Sequence, residues 1–208
     1  MKKMDIIQKI LNLNLNYFDV NTFANIFNLN KDIAYVYLNR LVKSNLIKRI
    51  YKNIYVLNSS NYNLDKIALN IYQPSYFSAD TILCNEGIIS QQYNCKTLVT
   101  RRISKTIKLD DINYEFYNIP GYLFNIPVNF YANKEQAFIE YCYLVLKKVR
   151  NFDLITLDTS YLSKNKLEKY LHNNKIFSIN KKFSNFVLTM YEKYYNKQIN
   201  YNQEEYNL

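Results

Sequence analysis

Nine side chains between Lys31 and Asn53 have the types and spacing to hold a polyanion and to read the groups it carries. Lys31, Tyr35, Asn39, Arg40 and Lys43 recur at helical intervals, so one helix would gather them on a face that also carries Asp32 and Val36. Lys48, Arg49, Lys52 and Asn53 follow closely, and no acidic residue occurs from Leu46 to Leu64. An Asn carboxamide can pair with the edge of adenine and an Arg guanidinium with guanine, while Lys and Tyr can hold phosphate oxygens. An ordinary solvated helix face would carry much the same residues. Their meaning therefore depends on the elements that position them.

Other groups with chemical potential are weaker. Arg101, Arg102, Lys105 and Lys108 form a second basic cluster that could meet nucleic acid or an acidic or phosphorylated protein. Solvated strand ends explain it more simply. Asp110, Asp111 and Glu115 could imitate the metal-binding carboxylates of a nuclease, but Asp110-Asp111-Ile112-Asn113 also reads as a turn between strands, the reading we favour. The sole histidine, His172, sits beside Asn173-Asn174 in a polar segment suited to the surface. Cys84, Cys95 and Cys142 are odd in number and far apart, matching neither a disulfide framework nor a zinc site, and read as buried free thiols. The two glycines, Gly87 and Gly121, cannot build a glycine-rich phosphate loop. No catalytic residue, metal or cofactor is expected.

Charge is distributed unevenly. The chain of 208 residues carries a net +10, and residues 1–60 hold nine basic residues against three acidic ones. Such a surplus favours an anionic partner. With 22 Tyr, no Trp, 2 Gly and abundant Asn, Lys and Ile, the composition is that of a low-GC genome, and any single Tyr or Asn carries little weight. A hydrophobic fraction of 49% is ample for a packed core. The start of the chain lacks the continuous apolar stretch of a signal peptide, and no run approaches the roughly 18 apolar residues of a membrane span. A cytoplasmic protein with no membrane partner is expected.

Periodicity predicts a helix over 3–14, a second over 20–27 capped by Asp19, a turn at Asn28-Leu29-Asn30, and a third helix from Lys31 to Ser44. Ala34, Tyr37, Leu38, Leu41 and Val42 form its apolar stripe. Strands at Leu46–Tyr51 and Ile54–Leu57 meet at Lys52-Asn53, a two-residue connection that Asn can serve with positive φ. Three helices followed by a tight hairpin is the element order of a winged helix-turn-helix. It would occupy 1–58, with a polar link at 59–63.

Beyond it the sequence predicts a helix over 65–72, a short strand at Tyr76-Phe77-Ser78, and a helix over 79–86 with Ser78 as cap and Gly87 as terminator. Strands follow at Cys95–Arg102, Thr106–Leu109, Tyr114–Ile119 and Val128–Tyr131, then helices at 134–148, 164–173 and 181–195. The last dozen residues are expected to fray. The fold class expected is α+β, a winged helix followed by a mixed α/β domain over 62–208.

Several segments, taken in order, resemble the AbiEi family of type IV toxin–antitoxin (abortive infection) antitoxins. They are the basic hairpin Leu46–Tyr55, Tyr76-Phe77-Ser78-Ala79 leading to Gly87-Ile88-Ile89, and Leu98-Val99-Thr100-Arg101-Arg102. Next come Tyr114-Glu115-Phe116-Tyr117 with Ile119-Pro120, Ala132-Asn133-Lys134-Glu135-Gln136-Ala137, and Leu157–Leu162. The resemblance covers about residues 10–175, and the order of the segments carries it. Two positions depart from the family pattern: Asn53 stands where Gly is common, and Glu140 where Asp is usual. The resemblance implies an N-terminal winged helix that represses its own operon at inverted repeats in double-stranded DNA. It also implies a C-terminal domain that counters a separately encoded nucleotidyltransferase-like toxin without a stable complex. A nuclease guided by the winged helix, and a regulator whose second domain senses a ligand or dimerises, are the alternatives from other classes.

Overall fold

The computed structural model describes residues 2–89, 94–151 and 157–205, with side chains as far as residue 195. The chain is mixed α+β and divides into two compact units, Met1–Ile71 and Tyr72–Leu208.

The first unit runs α1 (Lys3–Asn12), β1 (Phe18–Asp19), α2 (Val20–Phe27), α3 (Lys31–Lys43), β2 (Ile47–Tyr51), β3 (Ile54–Leu57) and α4 (Leu64–Ile71). Asp19 caps α2 by accepting from the Thr22 amide at 2.7 Å, and Asn28 ends it in the left-handed region at φ 49°. Asn tolerates that conformation because its short side chain can bond locally. Asn30 then caps α3 by accepting from the Ile33 amide at 2.9 Å. The strands form an antiparallel sheet in the order β1-β3-β2. Tyr51 pairs with Ile54, leaving Lys52-Asn53 as the two-residue loop, with Asn53 at φ 59°. Ile6 and Ile10 of α1, Phe23 of α2, and Ala34 and Leu38 of α3 are fully buried together, joined by Phe18, Leu41, Ile47 and Tyr55. Phe18 stacks between Phe23 and Tyr55, each ring centroid 6.1 Å away.

The second unit contains β4 (Ser75–Phe77), α5 (Asp80–Asn85), β5 (Cys95–Thr100), β6 (Lys105–Leu109), β7 (Ile112–Asn118) and α6 (Lys134–Leu146). A 3-10 turn at Thr159–Tyr161 precedes α7 (Lys164–Asn173), α8 (Ile176–Ile179) and α9 (Lys181–Glu205). The sheet order is β4-β5-β7-β6, with β5 and β7 parallel and the other pairs antiparallel. Helix α6 is buried nearly all round, with Ala137, Phe138, Ile139 and Cys142 inaccessible to solvent.

Four expectations are corrected. Ser78 does not cap α5: Ala79 stands at that position with φ 46° and no side-chain bond, and the Ser78 hydroxyl donates to Glu140. A buried carboxylate left without donors is costly, so the hydroxyl serves there. Val128–Tyr131 is not a strand. Phe130 turns back to Pro127 through a 3.0 Å backbone bond with φ 61°, and only Tyr131 bridges to Phe77. The last dozen residues are helical as far as Glu205, where fraying was expected, and 206–208 lie outside the described residues. Of the three thiols only Cys142 is buried, Cys84 and Cys95 being partly exposed.

Candidate nucleic-acid interface

Helix α3 has one face committed to the core and one turned to solvent. Ala34, Leu38 and Leu41 are buried, while Tyr35 and Tyr37 pack against them half-buried. Lys31, Asp32, Asn39, Arg40 and Lys43 are exposed on the other side. The far end of the helix is fixed by Ser44, whose hydroxyl donates to the Arg40 carbonyl at 2.8 Å and accepts from Lys3 Nζ at 2.5 Å. Val42, placed by periodicity in the apolar stripe, is 37% exposed. It lies at the margin of the stripe formed by the buried Ala34, Leu38 and Leu41.

The hairpin supplies Lys48 and Arg49 from β2 and Lys52 and Asn53 from its loop, all exposed. Lys48 and Arg49 are successive residues between buried Ile47 and Ile50, and the pairing register shifts after Arg49. The bulge falls at Ile50, so Lys48 and Arg49 themselves pair regularly, with Val56 and Tyr55. The Arg49 guanidinium is steadied by donation from Nε to the Tyr51 carbonyl at 3.4 Å. One contact joins helix and loop directly: the Tyr35 hydroxyl donates to Asn53 Oδ1 at 3.3 Å. Tyr35 is thus both packed and polar, its ring against the core and its oxygen holding the hairpin tip. Beneath it, burial pushes the Tyr55 hydroxyl above its ordinary pKa, with Arg49 opposing the shift.

The sequence-derived residues are therefore distributed over one helix face and one hairpin, tied together by Tyr35 and Asn53. Among the described residues, the side chains of Asn39, Lys43 and Lys52 enter no hydrogen bond or ion pair, and the Arg40 guanidinium makes none either. Val36 was expected on this face, whereas Ile33 was not foreseen there. They are 44% and 47% accessible on the outward side of α3.

The second basic cluster is arranged differently. Arg101 donates to the Ile119 carbonyl at 2.8 Å and lies against Gly121, where an added Cβ would come within 3.4 Å of it. Arg102 stacks 4.3 Å over the Tyr72 ring and donates to the Gln73 carbonyl at 3.4 Å, and Lys105 lies 5.4 Å over the same ring. Lys105 and Lys108 belong to β6, an edge strand, where lysines discourage pairing with a second sheet.

The carboxylates proposed as a metal group do not assemble one. Asp110 and Asp111 form the two-residue loop between Leu109 and Ile112, with Asp110 at φ 51°. Glu115 accepts from Arg150 at 2.6 Å and from the Tyr117 hydroxyl at 2.8 Å. No group of three metal-capable residues occurs among the described residues. His172 is exposed and stacks on Phe177, with centroids 4.7 Å apart.

Two polar networks in this unit escaped the sequence reading. In the first, Arg150 donates to both Asp80 oxygens at 3.0 Å and to Glu115, with its guanidinium 4.8 Å over Tyr117. Burial pushes Glu115 up, but Arg150 and Tyr117 outweigh it and hold the carboxyl below its ordinary range. Burial and Glu115 drive the Cys95 thiol up to about 11. In the second, Glu140 accepts from Tyr76 at 2.6 Å, from Gln136 at 3.0 Å and from Ser78. Full burial raises its pKa to about 7 against these three donors. Glu140 lies 64 and 62 positions from Tyr76 and Ser78, and Arg150 lies 70 from Asp80, so no local spacing announces these pairs.

No known family model and no curated protein matches this chain. No helix among the described residues is long and apolar enough to cross a membrane.

Proposed function

We propose that the first unit is a winged helix-turn-helix that binds double-stranded DNA, with α3 in the major groove and the β2–β3 hairpin as the wing. The observation that carries this reading is the solvent face of α3 and the hairpin tip, joined by Tyr35 and Asn53. That surface bears Arg40, Lys43 and Lys52, which no side chain among the described residues neutralises. A cation left in water beside others of its sign gains from phosphate contact through counterion release. In this reading Tyr35, Asn39, Arg40 and Lys43 read the major groove, with Lys31 at the start of the same helix. Lys48, Arg49, Lys52 and Asn53 hold the flanking backbone.

The order of motifs resembling AbiEi antitoxins supports the wider reading, that the chain represses its own operon and counters a nucleotidyltransferase-like toxin. Binding of the whole chain to its own upstream DNA, titrated with salt and unrelated competitor, tests the first part. Salt-sensitive binding that survives competitor is expected, and equal binding to any duplex would sink the autorepressor. Replacing Lys48 or Arg49 by Ala weakens binding to all sequences, whereas Asn39→Ala relaxes sequence preference. Growth rescue on co-expression with a nucleotidyltransferase-like product encoded beside the gene tests the second part. Failure to rescue leaves only a DNA-binding regulator.

A further inference from the structure

We infer that Ile33 and Val36 read thymine methyl groups, so that the DNA recognised by α3 contains A·T pairs. The inference rests on the DNA-binding reading of this face and names what the face recognises. Single exposed apolar side chains are ordinary on protein surfaces. These two differ in their placement. They lie on successive turns of the first half of α3, 44% and 47% exposed, while Ala34 and Leu38 of the same turns are buried. Val36 stands one turn before Asn39 and Arg40, on the side of the helix that faces away from the core.

A recognition helix enters the groove with its N-terminal residues deepest, which puts Ile33 and Val36 nearest the base edges. The major groove offers one apolar group to such side chains, the C5-methyl of thymine. Asn39 supplies the complementary chemistry, since a carboxamide pairs with N6 and N7 of adenine. With Val36 on the methyl and Asn39 on the adenine, both edges of A·T pairs are read by neighbouring side chains. From Ile33 to Arg40 the helix rises about 10 Å, roughly three base-pair steps. The surrounding cations, with Asp32 alone against them on this helix, match a polyanion better than an apolar protein partner.

Deoxyuridine differs from thymidine only by that methyl, so it isolates the contact. The whole chain is titrated against its own upstream DNA made with dT or with dU throughout. The same pair is then given to an Ile33→Ala/Val36→Ala variant. Both sites are half-exposed and Ala favours helix, so the variant keeps its fold, which circular dichroism checks. The wild type is expected to lose about four-fold in affinity for each methyl it covers on passing from dT to dU. The variant is expected to bind the dT duplex more weakly and to show no difference between the two. Preferential binding to upstream DNA with equal affinity for dT and dU would overturn the methyl contact and leave DNA binding standing. A variant that keeps the full methyl dependence would also overturn it. Undiminished binding by the variant to both duplexes would assign the two residues to a protein contact instead. Loss of any preference over competitor, by contrast, would strike the DNA-binding reading itself.

Discussion

The α3–hairpin face of the N-terminal unit and the charged groups of the C-terminal unit use ionic side chains in opposite ways. On the first, Arg40, Lys43 and Lys52 stand in solvent with no side-chain partner among the described residues. In the second, Arg150 is spent on Asp80, Glu115 and Tyr117, and Arg101 and Arg102 on carbonyls and the Tyr72 ring. The lesson is that basic clusters of similar composition are not equivalent. A cation already satisfied within its own unit has less to gain from phosphate than one held only by water.

The comparison breaks most visibly at Arg150. Replacing it with Ala takes the guanidinium from Asp80, whose side chain is 3% exposed and still accepts from the Thr97 hydroxyl at 3.2 Å. Removing one partner of such a pair is expected to cost about 3 kcal/mol, somewhat less if water reaches Glu115. Urea denaturation measures this. Arg40→Ala should cost under about 0.5 kcal/mol in the same assay. Equal losses at the two arginines would erase the distinction.

Glu140 sharpens the contrast through pH. Its pKa rises from 4.5 to about 7 on folding. Below pH 4.5 the group is protonated folded or unfolded and has no effect. Between 4.5 and 7 the folded state retains a proton that the unfolded state has lost, so stability declines as pH rises, by about 3 kcal/mol in all. Glu140→Gln should abolish this decline, because an amide does not titrate. Glu115 works in the other direction: its lowered pKa gives stability that is lost as pH falls through it. Melting temperatures of wild type and Glu140→Gln across this range check the sign, and a decline that persists unchanged in the variant would assign it to other groups.

The smallest effect is expected at Tyr35. Its hydroxyl gives the described link from α3 to the hairpin tip, and Tyr35→Phe removes only that 3.3 Å bond. Affinity for upstream DNA should drop about three-fold with little change in stability, since an exposed hydrogen bond contributes roughly 0.5–1 kcal/mol. A variant with wild-type affinity would show that the hairpin needs no such restraint.

The N-terminal unit was legible in sequence because its punctuation is local. Asp19, Asn28, Asn30 and Asn53 each set a cap or a turn within a few residues, and the structure uses all four. The two-residue strand Phe18–Asp19 was not legible, being too short to show alternation. Periodicity placed Val36 on the outward face but left Ile33 unassigned, because its residue type argues for burial and only the packed partners decide. In the C-terminal unit the elements were largely visible but their polar partners were not. Ser78 looked like a helix cap because its neighbours in sequence suggested one, whereas its true partner, Glu140, is 62 positions away. The same distance problem hid Arg150 from Asp80.

Lys48, Arg49 and Lys52 are expected to meet phosphate, and Arg101, Arg102 and Lys105 are not. The most direct measurement is the slope of log affinity against log salt for upstream DNA, in the wild type and in two triple variants. Lys48→Ala/Arg49→Ala/Lys52→Ala should reduce the slope by about 2–3, close to 0.9 for each phosphate that is no longer held, and Arg101→Ala/Arg102→Ala/Lys105→Ala should leave it unchanged. An unchanged slope in the first variant, or an equal fall in the second, would contradict the account.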